Sequence, residues 1–422
     1  MTELSIAAAA RQAGDRPAII TRDRTLTFAD CAAAITHVHG APAIIATPGI
    51  DTILAVHAAL EAQRPLALIH AKLPPDERAR QLAAVDALPG DTAFVLFTSG
   101  TTGSAKGVVL SRAAIVAAAN ASAARLHWRD DDRWLSCLPM AHAGGLSIVV
   151  RCLIARRPVV LHDADFDAAA VLALATSARA TLASFVPAQL AAFAGSPPPS
   201  LRAAILGGAA AAPSLVADAV ARGWPILPSY GLTETFGQIA TALEPGGPPV
   251  LLPTAEVIAG ETLRVRGPML ATGYLGGAAI APELVTADIG TVERGVIRVL
   301  GRRDDVIVSG GEKVHPLEIE AVLAATPGVC GACAFAIADE RWGHIVGAAI
   351  AVEASFDAAA ACARWHASLP SHARPRRLAI VTQLPLLASG KLDRRAIAAL
   401  PTEPVAYAGD DTSTRMPPGA VR

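Results

Sequence analysis

A chain of 422 residues is long enough to bury a large core and predicts two or three domains. Its formal net charge of -1 gives no electrostatic case for nucleic acid or an acidic membrane surface. The charge-poor stretches 134–150 and 180–201 are broken by prolines, glycines and His142, and Met1-Thr2-Glu3-Leu4 lacks the pattern of a secretion signal, so a cytoplasmic enzyme without a membrane span is expected.

Residues 1–300 alternate short apolar runs with Ala-rich, helix-like segments. Val95-Leu96-Phe97, Val159-Val160-Leu161, Ala203-Ala204-Ile205-Leu206 and Pro225-Ile226-Leu227 predict buried, largely parallel strands between helices, which is α/β layering. After the first of these runs comes Thr98-Ser99-Gly100-Thr101-Thr102-Gly103-Ser104-Ala105-Lys106-Gly107, with an Ala-rich segment from near Arg112. The expected context is strand, loop, helix. Residues 243–253 read as a loop and 262–266 as an exposed antiparallel strand. Charge density rises at residues 301–305, which predicts a hinge. Beyond it, helices at 316–325 and 357–368 and strands at 329–337, 345–352 and 378–381 predict a small α+β domain over 306–400, closed by residues 392–400. The polar, Pro-containing tail 401–422 is expected to be disordered.

Several clusters carry chemistry. In residues 98–107 three glycines let a large anion approach the backbone, and Thr98, Ser99, Thr101, Thr102 and Lys106 supply donors to phosphate oxygens. The spacing is not that of the common nucleotide P-loop. Lysine is rare: the 36 basic residues include only Lys72, Lys106, Lys313 and Lys391, and the last three sit in or beside Gly-rich loops. Ser229-Tyr230-Gly231-Leu232-Thr233-Glu234-Thr235 offers a ring for stacking on a base, with Thr233 and Glu234 oxygens suited to Mg²⁺ near phosphates. Asp288 sits in a turn where it could hold ribose hydroxyls, and Tyr274 is another of only three tyrosines. Cys330-Gly331-Ala332-Cys333 has no second pair to complete a zinc set and reads as packed thiols.

Together these motifs resemble the adenylate-forming superfamily of acyl-CoA synthetases, adenylation domains and luciferases, over nearly the whole chain. The resemblance implies a large N-terminal AMP-binding domain of layered α/β subdomains and a small, mobile α+β C-terminal domain that rotates about Asp304. It implies phosphate binding at Thr98 to Lys106, an adenine-side turn at Gly207-Gly208-Ala209, and nucleotide contacts from Ser229, Tyr230, Gly231, Thr233, Asp288 and Arg302. Glu234 would hold Mg²⁺. Lys391 would drive adenylate formation from ATP and a carboxylic acid, and the Gly310-Gly311 loop would help admit coenzyme A. Leu138-Pro139-Met140-Ala141-His142-Ala143-Gly144-Gly145 and the extension after Glu234 resemble the o-succinylbenzoate–CoA ligases of menaquinone synthesis, which makes His142 the substrate-side polar group. Another aryl or medium-chain acid, a carrier-protein thiol in place of CoA, and a non-catalytic nucleotide binder are the alternatives. The intact set Glu234, Asp288, Arg302 and Lys391 weighs against the last.

Overall fold

The computed structural model describes residues 2–37, 41–85, 88, 90–98, 105–280, 282–387 and 391–407. The chain divides into two units. The larger takes residues 1–211, 215–299 and 388–391, and the smaller takes 212–214, 300–387 and 392–422.

The larger unit is built on three sheets. In its eleven-stranded sheet the short apolar runs pair in parallel: Val159–Leu161 with Trp134–Ser136, then Leu182–Phe185, Ala203–Leu206 and Ile226–Leu232. Helices Ala143–Ala155, Ala168–Ser177, Pro187–Ala192 and Pro213–Ala221 lie between these strands in sequence. The first four strands are buried along their whole length, as parallel strands covered on both faces must be. The edge toward Gly237–Ala242, Pro249–Leu251 and Val296–Arg302 turns antiparallel.

A five-stranded sheet carries the Gly-rich loop. Ala43–Ala46, Leu66–His70 and Thr92–Thr98 run parallel, and Lys106–Ser111 returns antiparallel to Thr92–Thr98. The loop therefore joins two strands of a hairpin, and helix Arg112–Leu126 begins only after the second. This corrects the strand–loop–helix expectation. Val108, Val109 and Leu110 form a buried strand of their own rather than a lead into the helix. The third sheet pairs Arg264–Arg266 antiparallel with Glu256–Ile258 and Leu284–Val285, as the alternation at 262–266 predicts.

In the smaller unit Val329–Asp339 and Gly343–Val352 form a long hairpin, with Arg377–Val381 parallel to the second strand. Helices Pro316–Ala324 and Ala358–Ser368 accompany them, and Trp365 is fully buried with its indole N–H on Thr326 Oγ1 at 2.8 Å. The predicted disordered tail is corrected over its first residues: Glu403–Pro404 pairs with Arg377–Val381, and Tyr407 is buried with its hydroxyl donating to Pro375 O. Residues 408–422 lie outside the described residues. Both motif cysteines are free; Cys333 is buried, but Cys330 is exposed rather than packed.

Candidate functional site

The predicted phosphate residues Ser99, Gly100, Thr101, Thr102 and Gly103 lie outside the described residues, and Thr98 and Lys106 are the loop's two stems. They face each other in register, with Thr98 Oγ1 3.4 Å from Lys106 O. Gly107 follows because a side chain there would press on Leu275 and Val95 at 3.1 Å, and Gly107 O accepts the Leu275 N–H at 2.7 Å. That close approach docks strand Gly273–Tyr274 beside Lys106–Ser111. As a result the Lys106 ammonium lies 5.7 Å from the centre of the Tyr274 ring. The hydroxyl of the same tyrosine donates to Glu234 Oε1 at 2.9 Å. Burial and the Glu234 carboxylate both push the Tyr274 phenol up, so it stays a donor. One ring thus links the predicted phosphate lysine to the predicted magnesium carboxylate.

Glu234 lies on the 3₁₀ turn Thr233–Thr235 between strands Ile226–Leu232 and Gly237–Ala242. Thr235 locks the turn by accepting the Leu232 N–H and donating to backbone carbonyls, while Thr233 and Glu234 are half-buried. Gly231 is obligatory, since a Cβ there would sit 1.9 Å from Gly237 O. Tyr230 and Asp288, predicted to meet base and ribose, are brought together: the Tyr230 hydroxyl donates to Asp288 Oδ2 at 2.6 Å. Asp288 is buried and its backbone N–H is held by Thr286 Oγ1. Gly207 comes close to Ser229, whose hydroxyl donates to Leu206 O, and Gly208 turns the chain at φ +81 with Ala209 exposed beyond it. The adenine-side turn, Ser229 and Tyr230 therefore belong to one patch at the ends of neighbouring parallel strands, where α/β sheets bind ligands.

His142 caps the start of helix Ala143–Ala155 through its backbone. Its ring packs against that of His70, centroids 5.1 Å apart. Burial, with His70 beside it, brings the imidazole of His142 down to about 4, so it is neutral at pH 7. On the same helix, Arg151 is buried, lies over Trp134 at 5.3 Å, and has no partner for its Nε among the described residues. Burial pulls its guanidinium down to about 10, still charged at neutral pH. A Cβ at Gly237 would meet the Arg151 guanidinium at 3.5 Å, so Arg151 reaches the strand that follows the Glu234 turn. Sequence reasoning missed Arg151, although a lone charge in the otherwise uncharged helix 143–155 is a readable signal.

In the smaller unit Arg302 ends strand Val296–Arg302, with its Nη2 3.5 Å from Asp304 Oδ2 on the turn Arg303–Asp305. The predicted ribose arginine and hinge aspartate are thus neighbours. Gly310 (φ +60) and Gly311 (φ +89) make the tight turn between Ile307–Ser309 and Glu312–Val314, and a side chain at Gly310 would strike Trp342 at 2.7 Å. Lys391 is exposed and precedes helix Arg394–Ala398, which Asp393 caps.

The AMP-binding enzyme family matches residues 81–275, and the AMP-binding enzyme C-terminal domain matches residues 318–391. The chain is 34% identical over 334 residues to a 2-succinylbenzoate–CoA ligase of Bacillus licheniformis, covering 73% of this chain and 70% of that one. Against the 2-succinylbenzoate–CoA ligase of Listeria monocytogenes it is 35% identical over 325 residues, with 72% and 69% covered. It is also similar to the solved structure of o-succinylbenzoate CoA synthetase (MenE) from Bacillus subtilis in complex with the acyl-adenylate intermediate OSB-AMP. There the TM-score is 0.84 at 27% identity, over 95% of this chain and 99% of that one. For the same enzyme in complex with ATP and magnesium ion the TM-score is 0.82 at 27% identity, over 93% and 98%.

Proposed function

The chain belongs to the AMP-binding enzyme family, on its 2-succinylbenzoate–CoA ligase branch, and on that premise we propose that it is an ATP-dependent ligase converting o-succinylbenzoate to o-succinylbenzoyl-CoA in menaquinone biosynthesis. The observation that carries the reading is the Lys106–Tyr274–Glu234 linkage, which sets a cation and a carboxylate around one ring at the base of the Gly-rich hairpin. The reaction has two steps. A carboxylate oxygen of the acid bonds to the α-phosphorus of ATP and the bond to the β-phosphate bridging oxygen breaks, releasing pyrophosphate. The thiolate of coenzyme A then attacks the acyl carbonyl and AMP leaves.

Among the described residues no cluster of three His, Cys, Asp or Glu could hold a metal by itself. A single carboxylate such as Glu234, already oriented by Tyr274, fits Mg²⁺, which keeps its waters and binds through one or two carboxylates plus phosphates. When bound, the ion offsets charge on the β/γ-phosphates. Lys106 adds a positive charge for the departing pyrophosphate. Asp288, with Tyr230 against it, presents a carboxylate to ribose hydroxyls, and Lys391 supplies the ammonium that steadies the acid carboxylate and α-phosphate during adenylation. Succinylbenzoate carries a second carboxylate, and the buried Arg151 guanidinium is the group suited to it, with neutral His142 a polar neighbour. No helix among the described residues is long and apolar enough to cross a membrane, and we place the reaction in the cytoplasm, where ATP and CoA are at hand.

The test is pyrophosphate release with a panel of acids, with and without CoA. Turnover of no acid would sink the enzyme reading, and turnover of fatty acids alone would sink the substrate. Lys391→Ala is expected to cut adenylation by about 10²-fold or more while leaving thioester formation from preformed acyl-adenylate within about threefold. Equal loss in both half-reactions would remove Lys391 from its assigned role.

A further inference from the structure

His70 ends strand Leu66–His70 of the sheet that carries the Gly-rich hairpin, and it is 8% exposed. Its Nδ1 accepts the backbone N–H of Lys72 at 3.1 Å. A neutral imidazole has one ring proton, so an accepting Nδ1 puts that proton on Nε2. Burial and the Lys72 charge both favour the neutral ring. The Nε2 is fully buried and meets no acceptor among the described residues, and the Nε2 of the neighbouring His142 is likewise buried without a partner among them. A buried donor with no acceptor costs folding free energy, and a phenylalanine or leucine would fill the same place without that cost. What sets this pair apart from other unpartnered buried atoms such as Thr92 Oγ1 and His57 Nδ1 is that the two imidazoles lie side by side, 5.1 Å between centroids.

We propose that His70 is a specificity residue for the acid: its Nε2–H donates to an oxygen of the substrate other than the carboxylate that is adenylated. The class this selects is an acid bearing a second carboxylate or a ketone, as succinylbenzoate does, over a plain aryl or alkyl acid. The inference rests on the reading of His142 as lining the acid site.

His70→Phe keeps a flat ring and deletes the donor, whereas His70→Gln returns an N–H at similar reach. With o-succinylbenzoate, His70→Phe is expected to raise the KM for the acid about tenfold or more, to leave the KM for ATP within about twofold, and His70→Gln is expected to recover most of the loss. An unchanged acid KM, a parallel rise for ATP, or a His70→Gln no better than His70→Phe would each overturn it. Should His70→Phe fail to fold, the wild-type protein labelled with ¹⁵N-histidine decides: the His70 Nε2 signal, assigned through His70→Gln, must shift when the acid saturates the protein, and an unmoved signal rejects the proposal. If the wild type turns over no acid at all, the functional reading falls and this inference with it. If the wild type is active and His70→Phe is indistinguishable from it, this inference alone falls.

Discussion

Tyr274 shows how one side chain organises two charges. Its ring lies beneath the Lys106 ammonium and its hydroxyl holds Glu234 Oε1. Rarity of tyrosine marks it in the sequence, but no motif gives it a role, because its partners lie 168 and 40 positions away along the chain. Tyr274→Phe removes the hydroxyl and keeps the ring, so Glu234 loses the donor that aims it. A hydrogen bond to a charged group is worth about 1.5–3 kcal/mol, and part of that orients the carboxylate for magnesium. The expected result is a rise of about three- to tenfold in the KM for MgATP, with the half-activating Mg²⁺ concentration moving up in parallel. ATP titrations at several fixed Mg²⁺ concentrations check it. If neither quantity moves, Glu234 is oriented by something other than Tyr274.

Short helix Arg394–Ala398 illustrates what holds an element that is too short to hold itself. Arg394 donates to Ala334 O at 3.1 Å and to Glu320 Oε2 at 3.0 Å, and its Nε lies 3.8 Å from Asp305. Glu320 is buried, and its other oxygen accepts the Ala334 N–H. Burial raises the Glu320 carboxyl even beside the arginine, so without Arg394 it would be a buried charge with no cation. Arg394→Ala is therefore expected to cost about 3 kcal/mol, the low end for a broken buried pair because a third of the Arg394 side chain is exposed. Adding Glu320→Leu should recover much of that loss, and urea denaturation of single and double variants measures both. A single variant as stable as the wild type would show that the pair does not anchor the helix that follows Lys391. This network was not legible in the sequence, since its members are 14 to 89 positions apart. The parallel strands were legible, because strands covered on both faces read as continuous apolar runs. The strand Lys106–Ser111 was missed for a physical reason: its apolar run is short and abuts a helix start, so periodicity cannot separate the two.

For the whole molecule, the rise in charge at 301–305 is the expectation for a hinge, and the chain divides into two units whose main boundary lies between Val299 and Leu300. Composition fixes how the fold responds to acid, through its buried histidines. His57, on helix Ile50–Glu61, is 4% exposed, and burial together with the Arg156 charge takes its imidazole down to about 4. His142 is brought to about 4 chiefly by burial, and His70 is lowered as well. Each binds its proton more weakly when folded than at its ordinary value of 6.5. Above about pH 7.5 these rings are neutral in both states and contribute no pH dependence. As pH falls through 6.5 toward about 4, the unfolded chain takes up protons that the folded chain refuses, so stability is lost across that window. For His57 and His142 together the slope reaches about 2.4 kcal/mol per pH unit near pH 5. Glu320, raised by burial, works in the opposite sense near its ordinary value of 4.5 and blunts the acid end of the curve. His57 lies outside the proposed acid and nucleotide groups, so His57→Gln should lower the slope between pH 6 and 5 by about 1.2 kcal/mol per pH unit while leaving turnover at pH 7.5 within about twofold. Urea denaturation from pH 5 to 7.5 reads the slope directly, and a flat profile below pH 6.5 would mean that the buried imidazoles gain water or a counter-charge as they protonate.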